Sequence, residues 1–326
     1  MKRFQLARRA LSVAAASSLL AATSAAFAQN KATRLIVAFP PGGPVDFVAR
    51  TLAEQLGKEL GHQVIIENKA GANGAIAAEF VSKSTPDAST LWLTSVGAVA
   101  INPALYDKLA YDPVRDLTPV SLVVNNVEML VVGANAPYNT GAEFVAASRL
   151  QKDKPLTMAS SGTGSVPHLA MELLSDAAKI NLIHVPYKGA APAITDVIAG
   201  HVNGFFGDIP GLVSFIKAGK LKPIGIAAPK RHPLFLEVKT FTEMGVPGVD
   251  SDNWYALFAA KGTPATEIDR VNQAVRNTLN NEAVKTKLLA SGADPAPSTS
   301  AELAKLLKND SAKWAKVVRS KNDKAD

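Results

Sequence analysis

The segment Leu35–Arg50, LIVAFPPGGPVDFVAR, joins an apolar run to a glycine-rich turn and then to a helical pattern. The run Leu35–Phe39 is short, rich in β-branched residues and stopped by proline, which predicts a buried strand. Gly42 and Gly43 predict a tight turn, and Pro44 suits the first position of a helix because its missing N–H would have no partner there. We therefore predict a strand, a loop and a helix whose free N–H groups face the loop, which is the outline of an anion site.

The same unit of strand, glycine-rich loop and helix recurs along the chain. Further strands are predicted at residues 64–66, 91–94, 156–159, 183–185 and 202–206. Helices are predicted at residues 75–83, 166–178, 191–199, 212–218, 266–280, 282–291 and 300–321, with a short one after Gly97. Strands that alternate with helices predict parallel sheets with helices on both faces, and such sheets bind ligands beyond the carboxyl ends of their strands.

The first residues have the pattern of a secretory signal peptide. The basic residues Lys2, Arg3, Arg8 and Arg9 are followed by an apolar run and by Ala26-Phe27-Ala28, an Ala-x-Ala cleavage site. We therefore predict that residues 1–28 are removed and that the mature protein is periplasmic. The apolar run is too short to span a bilayer, and no later stretch predicts a membrane helix or membrane insertion. The chain has no cysteine, which excludes disulfides and a lipid anchor on cysteine.

The charge and the chemical motifs exclude several classes of function. The net charge is +7, but four of the basic residues lie in the predicted leader, which leaves +3, and the lysines of the last helix predict a solvated face rather than a nucleic-acid site. There is no Walker A pattern, Gly162-Thr163-Gly164 lacks the third glycine of a dinucleotide fingerprint, and the five histidines have no metal-ligand spacing. We expect no cofactor and no metal.

Five motifs occur in order along the chain. They are the loop at 39–46 (FPPGGPVD), residues 66–74 (IENKAGANG), residues 161–168 (SGTGSVPH), residues 184–189 (HVPYKG), and Trp254 followed by Gly262-Thr263-Pro264. In these motifs the chain resembles the extracytoplasmic solute receptors of tripartite tricarboxylate transport, the Bug family, over nearly all of its length after the leader. It departs from the family pattern at residues 86–91 (PDASTL) and at Asn73, where glycine is commoner.

The resemblance implies an α/β, two-lobed, type II periplasmic-binding-protein fold. Each lobe would be a mostly parallel sheet flanked by helices, with the ligand in the cleft between the lobes. Apolar segments at 122–132 and 224–227 look like crossings between the lobes. Lobe 1 would then take residues 29–125 plus 228–326, and lobe 2 residues 126–227.

Candidate ligand-binding residues lie on the loops that open the predicted helices. They are Phe39, Pro41, Gly42, Gly43, Val45, Asp46, Ala72, Asn73, Ser95, Ser161, Thr163, Gly164, Ser165, His168, Tyr187 and Asp208. Asp46 either complements the helix dipole or receives a ligand ammonium or hydroxyl, and Asn73 either caps a helix or contacts the ligand. Arg50 is interpreted as a structural ion-pair or surface residue and Lys188 as exposed.

The resemblance implies a receptor that captures a small carboxylate and delivers it to the membrane permease subunits of a tripartite transporter. Di- or tricarboxylates, acidic amino acids and aromatic acids all suit the small loop residues, and the chain is expected to be monomeric. We expect recognition by backbone amides and bridging waters rather than by a buried arginine, since Lys69 is the only cation in the first, second and fourth loops. The alternatives are a secreted hydrolase using Ser161 and His168 with Asp208 as orienter, and a periplasmic sensor or scaffold of the same fold.

Overall fold

The fold is that of a computed structural model, which describes residues 32–321 apart from the side chains of Asp252, Ser320 and Lys321. The predicted leader, residues 1–28, lies outside the described residues. The strands are β1 (Thr33–Val37), β2 (Val64–Asn68), β3 (Thr90–Ser95), β4 (Leu117–Gly133), β5 (Leu156–Ser160), β6 (Leu182–Pro186), β7 (Gly204–Asp208), β8 (Leu221–Ile226), β9 (Asp252–Ala260) and β10 (Asp294–Pro295).

The α-helices lie between these strands and at the carboxyl end. They are α1 (Pro44–Leu60), α2 (Ala75–Ser82), α3 (Asn102–Leu105), α4 (Gly141–Leu150), α5 (Val166–Ala178), α6 (Ala190–Ala199), α7 (Ile209–Lys217), α8 (Ala265–Asn280), α9 (Glu282–Ser291) and α10 (Ser300–Lys321). Shorter helical turns occupy Ala72–Gly74, Gly97–Ile101 and Thr242–Met244.

The strands form one sheet in the order β2-β1-β3-β9-β4-β7-β5-β6, with β8 and β10 also paired to β4. The predicted parallel pairing is confirmed for β1 with β2 and β3, and for β5 with β6 and β7. Strands β4 and β9 run antiparallel to their neighbours. The predicted α/β class is therefore confirmed, with two antiparallel strands at the centre of the sheet.

Strand β4 connects the two halves of the molecule. Its first part pairs with β9 over Leu117–Val127, and its second part pairs with β7 over Glu128–Val131 and with β8 over Met129–Gly133. The sequence pattern predicts two separate apolar segments here, but Asn125 and Asn126 lie within one continuous strand. Backbone hydrogen bonds to β9 explain why these two polar residues do not end it.

The buried side chains divide in the same way. One cluster takes in residues up to Val124 together with side chains from Trp254 to Val318, and it also includes Val166 and Leu169 of α5. Two further clusters surround the second half of β4 and include apolar residues from Phe235 to Val249. The exact lobe boundaries at residues 125 and 227 stay a prediction.

Most predicted elements lie within two residues of the observed ones, and three differences affect the site. Strand β7 runs to Asp208, so this carboxylate ends the strand instead of following it. Helix α7 begins at Ile209, directly after Asp208, where Pro210 was expected to stand outside the helix. Strand β9 has no counterpart among the predicted strands. None of the helices within residues 32–321 combines the length and apolarity needed to cross a membrane.

Candidate functional site

The loop between β1 and α1 has the predicted form. Gly42 has a φ of +80°, Gly43 is the extended N-cap residue of α1, and Pro44 is the first helical residue. The N–H of Phe47 donates to the Gly43 carbonyl at 2.9 Å, which is the first hydrogen bond of the helix. The N–H of Val45 therefore lies in the first turn, where helix geometry provides no backbone acceptor.

Asp46 holds this loop together. One carboxylate oxygen, Oδ2, accepts from the Gly42 N–H at 2.9 Å and from Arg50 Nε at 2.8 Å, and Oδ1 accepts from Asn68 Nδ2 at 2.9 Å. Burial alone would raise the pKa of Asp46, but the hydrogen bonds from Arg50, Gly42 and Asn68 outweigh it and hold the pKa below its usual value. The Gly42 amide, expected to face a ligand, is thus bonded to Asp46, and Arg50 forms the expected structural ion pair.

Asn73 joins the second loop to the loop after β5. Its Nδ2 donates to the Gly164 carbonyl at 2.8 Å and to Asn102 Oδ1 at 2.9 Å. Its φ of +46° belongs to the left-handed region, which Asn adopts more readily than most residues. Asn73 therefore contacts both sides of the space between these loops.

The loop after β5 is organised by Ser165 and two histidines. Ser165 is the N-cap residue of α5: its Oγ accepts from the His168 N–H and donates to the Gly162 carbonyl at 2.6 Å. The His168 ring accepts from the Gly164 N–H at Nδ1 and stacks on His184, with 3.9 Å between the ring centroids. The amides of Gly162, Gly164 and Ser165 all donate within the loop.

An inner pocket lies where the amino-terminal ends of four helices meet. Its lining includes Pro44 of α1, Val166 of α5, Ala190 of α6 and Asp208, the residue before α7. Each of these helices has nine residues or more, so each brings unpaired N–H groups and the positive end of its dipole to the pocket. Among the described residues that line this pocket there is no lysine or arginine.

The walls of the inner pocket combine apolar rings with small hydroxyls. Phe39 and Phe205 are apolar wall residues, and Ser95, Ser161 and Ser165 bring hydroxyl groups. The cavity volume is about 20 Å³, which is room for about one water molecule. A guest of several non-hydrogen atoms therefore requires the surrounding loops to separate.

An outer pocket of about 220 Å³ shares Phe39 and Ser161 with the inner one. It is lined by the turn Gly71–Gly74, by Ser161–Thr163, and by Pro186–Gly189. Tyr187 donates its hydroxyl to Asp196 at 2.5 Å, and burial, followed by this contact, raises the pKa of Tyr187 to about 12. Lys188 is exposed, as predicted, and lies on the outer rim.

The floor of the inner pocket is a polar cluster at the meeting point of β4, β7 and β9. Asp208 accepts from Asn253 Nδ2 at 2.8 Å and from the Tyr255 hydroxyl at 2.5 Å. Glu128 stands directly opposite Asp208 in the antiparallel register and also receives the Asn253 amide, at 3.3 Å. Burial raises the pKa of Asp208 to about 6, and burial followed by the charge of Asp208 raises the pKa of Glu128 well above its ordinary value.

The two pockets bring together most of the predicted residues. The inner lining contains Phe39, Gly43, Val45, Ser95, Ser161, Ser165 and Asp208, and the outer lining adds Ala72, Asn73, Thr163 and Tyr187. Of the described residues, Pro41, Gly42, Asp46, Gly164 and His168 fall outside both linings. Gly42 and Gly164 form hydrogen bonds next to the pockets, and His168 is packed behind Ser165.

Glu128, Asn253 and Tyr255 were not among the predicted residues. They lie in apolar strand sequence, VEMLVV and NWYALF, and no local motif marks them. The available signal was a polar residue inside an otherwise buried strand, because such a residue needs a partner.

A family model described as the tripartite tricarboxylate transporter family receptor matches residues 48–322. BugT of Bordetella pertussis is 32% identical over 308 residues, covering 94% of each chain. Two solved structures from Rhodopseudomonas palustris are also similar. Rpa4515 with adipate is 30% identical with a TM-score of 0.85, covering 88% of this chain and 96% of that one. MatC with bound malate is 34% identical with a TM-score of 0.82, covering 88% of this chain and 99% of that one.

The order of the strands, the helix-lined pocket and these similarities agree with one another. The chain has the two-lobed α/β fold of periplasmic binding proteins and belongs to the tripartite tricarboxylate transporter receptor family, as a Bug-type solute-binding protein.

Proposed function

We propose that this protein captures a small carboxylate between its two lobes, in the helix-lined pocket, and delivers it to the permease subunits of a tripartite transporter. The convergence of four helix amino termini on one pocket carries the proposal. Unpaired N–H groups and dipole ends of one sign favour an anion. The adipate and malate bound to the two R. palustris relatives support the same class of ligand.

Hydrogen bonds from amides and hydroxyls are sufficient for a micromolar affinity. A hydrogen bond to a charged group contributes roughly 1.5–3 kcal/mol. Three or four such bonds, less the cost of closing the lobes, amount to about −8 kcal/mol, or a Kd of about 1 µM. Because the inner cavity holds only about one water, we infer that loading starts from a more open arrangement of the lobes.

We propose a receptor rather than a hydrolase. The Ser161–His168–Asp208 alternative needs the three side chains on one hydrogen-bond line. His168 Nδ1 instead accepts from the Gly164 amide, and Asp208 accepts from Asn253 and Tyr255. We also propose that the protein acts as a monomer in the periplasm, released from its leader after Ala28.

A thermal-shift screen of the purified protein tests the proposal. The panel contains C4–C6 dicarboxylates, hydroxy acids, acidic amino acids, aromatic acids and citrate, with a neutral sugar as the control compound. At 100 times Kd a bound ligand stabilises the folded state by about 2.7 kcal/mol, so at least one carboxylate should raise Tm by several degrees. A shift with the sugar and with none of the acids would show that the pocket is not an anion site.

A matched pair of variants locates the binding. Ala190→Leu adds three carbons to the inner pocket at the first residue of α6, whereas Ala142→Leu adds them on the exposed side of α4. We expect the ligand-induced shift to disappear in Ala190→Leu and to persist in Ala142→Leu, with the unliganded Tm of each variant as the check on folding. The reverse result would place the ligand elsewhere.

A further inference from the structure

Asp208 presents a fixed carboxylate at the floor of a pocket that otherwise favours anions. It is 8% exposed and lines the inner pocket beside Asn253 and Tyr255. Donors from these two neighbours, at 2.8 and 2.5 Å, fix the orientation of both oxygens. An ionised carboxylate only accepts hydrogen bonds, so its remaining lone pairs require donors.

Glu128 lies behind Asp208, and the two neighbouring carboxyl groups together carry about one negative charge. It is fully buried, and its carboxyl is hydrogen-bonded to Asp208. Two buried carboxyls in contact cannot both ionise easily, so the proton stays on the more deeply buried one. Glu128 is therefore the carboxyl that holds its proton more tightly, and the charge of the pair resides on Asp208, next to the cavity.

Asn253 adds a second acceptor. Its Nδ2 donates to both carboxyl groups, whereas its Oδ1 is buried and has no hydrogen-bond partner among the described residues. The carboxylates fix this orientation of the amide, because a flipped Asn253 would turn its oxygen towards them. The floor therefore carries acceptors with unused capacity, and the helix ends around it carry donors.

A ligand that pairs with the N–H donors of the helix ends and with the acceptors of the floor must carry a carboxylate and a hydrogen-bond donor close together. The cavity is narrow, and Asp208 is itself the N-cap residue of α7, so the two demands arise within one small space. We propose that Asp208, fixed by Asn253 and Tyr255 and backed by Glu128, makes the pocket selective for carboxylates with a hydroxyl or ammonium group on the neighbouring carbon.

This inference rests on the proposed function and names the ligand class within it. An unsubstituted chain places a CH₂ group against Asp208, so the remaining lone pairs of Asp208 and the Oδ1 of Asn253 receive no donor from the ligand. A second ionised carboxylate in the same position is repelled by Asp208. The missing hydrogen bond lowers the affinity of plain dicarboxylates relative to their 2-hydroxy and 2-amino counterparts, and the repulsion prevents the second carboxylate from taking the place of the donor.

Titration calorimetry at pH 7.5 with matched acids tests the selectivity. One series is succinate, malate and aspartate, and the other is glutarate, 2-hydroxyglutarate and glutamate. In the series that binds, we expect the 2-substituted acids to bind about 10- to 100-fold more tightly than the plain acid. Preference for the amino acid or for the hydroxy acid identifies the donor, and either result supports the inference.

Asp208→Asn tests whether the floor is the source of the selectivity. We expect the ratio to fall below about threefold, with tighter binding of the plain acid, because the asparagine removes the repulsion and supplies a donor. Asp269→Asn removes the same charge from an exposed position on α8 and should leave the ratio unchanged. Persistence of the full ratio in Asp208→Asn overturns the assignment.

A crystal structure of the complex gives a readout that needs no variant. The hydroxyl or ammonium should lie within about 3.2 Å of an Asp208 carboxylate oxygen or of Asn253 Oδ1. Equal affinities for plain and substituted acids would overturn this inference and leave the carboxylate receptor standing. If no acid of either series or of the wider screen binds, the proposed function fails and the inference fails with it.

Discussion

Two buried aspartates stand at the start of helices in this molecule, and their environments push their pKa values in opposite directions. Asp46, in the first turn of α1, accepts from a guanidinium, an amide N–H and an asparagine, and its pKa lies below the ordinary value. Asp208, directly before α7, accepts from a tyrosine and an asparagine beside the carboxyl of Glu128, and its pKa is raised to about 6. Burial is the largest influence on both pKa values, and only Asp46, which has the charged Arg50 among its donors, has hydrogen bonds that outweigh it.

The difference separates a structural carboxylate from a functional one. Asp46 uses both oxygens to fix the loop that carries the helix end, so its contribution is to stability. Asp208 remains under-compensated at the floor of the pocket, which costs stability and leaves it able to accept from a guest. The following predictions test this contrast, in order of decreasing effect.

Replacement of Asp46 should have the largest effect. Asp46→Ala removes the acceptor of Gly42, Arg50 and Asn68 together, so we expect a loss of about 4 kcal/mol in the free energy of unfolding at pH 7.5. Urea unfolding followed by circular dichroism measures the change. Asp269→Ala, on the exposed side of α8, is the control and should change the stability by less than about 0.5 kcal/mol. Equal losses of stability in the two variants would show that Asp46 does not stabilise the loop.

The raised pKa of Asp208 predicts that its contribution to stability changes with pH in the direction opposite to that of Asp46. A folded-state pKa of about 6 against 3.8 means that the folded protein binds more protons between these values, so stability falls as pH rises from about 4 to about 6. The shift corresponds to about 3 kcal/mol, and Glu128 extends the fall to higher pH. Asp46, with its lowered pKa, contributes stability above about pH 4 that is lost on further acidification.

Urea midpoints measured from pH 3 to pH 8 test this profile. In Asp208→Asn the fall between pH 4 and pH 6 should shrink, and at pH 7.5 the variant should be more stable than the wild type. Asp269→Asn should follow the wild-type curve. A wild-type stability that is flat over this interval, or the same fall in Asp208→Asn, contradicts the assignment.

The contrast also explains what the sequence predicts and what it does not. The loop of Asp46 was predictable because every signal is local: a strand stopped by proline, two glycines, and Pro44 at the first helical position. The Ser165 cap of α5 was predictable for the same reason, since cap and helix are adjacent in the chain. The strand and helix pattern likewise predicts the α/β class.

The floor of the pocket depends on contacts between distant parts of the chain. Glu128 and Asn253 are 125 positions apart, and Asp208 and Tyr255 are 47 apart. Only the antiparallel pairing of β4 with β7 and β9 brings them together, and nothing in the apolar run of β9 predicts its position in the sheet. The sequence pattern predicts that Asp208 lies near the pocket, but it does not predict its contacts with Glu128, Asn253 and Tyr255.

Replacement of Asn73 should change the stability less than replacement of either aspartate. Asn73→Gly removes the hydrogen bond to the Gly164 carbonyl without adding strain, because glycine adopts a φ of +46° freely. We expect a loss of about 1–2 kcal/mol in the free energy of unfolding and a weaker ligand affinity. Asn73→Ala loses the same bond and adds left-handed strain, so it should cost about 1 kcal/mol more. Identical stabilities for the two variants would show that the backbone here is not strained.

Arg50 should have the smallest effect, and its size decides what holds the Asp46 loop. Its side chain is 55% exposed, and exposed ion pairs contribute about 0.2–1 kcal/mol, so Arg50→Gln should cost less than about 1 kcal/mol in urea unfolding. Asp46 keeps the Gly42 amide and Asn68 in this variant. If Arg50→Gln instead approaches the loss in Asp46→Ala, the guanidinium supplies most of the stabilisation and the loop is held mainly by charge. A small loss means that the hydrogen bonds from Gly42 and Asn68 are sufficient, and that the contrast with Asp208 comes from the neighbouring carboxyl of Glu128 rather than from the absence of an arginine.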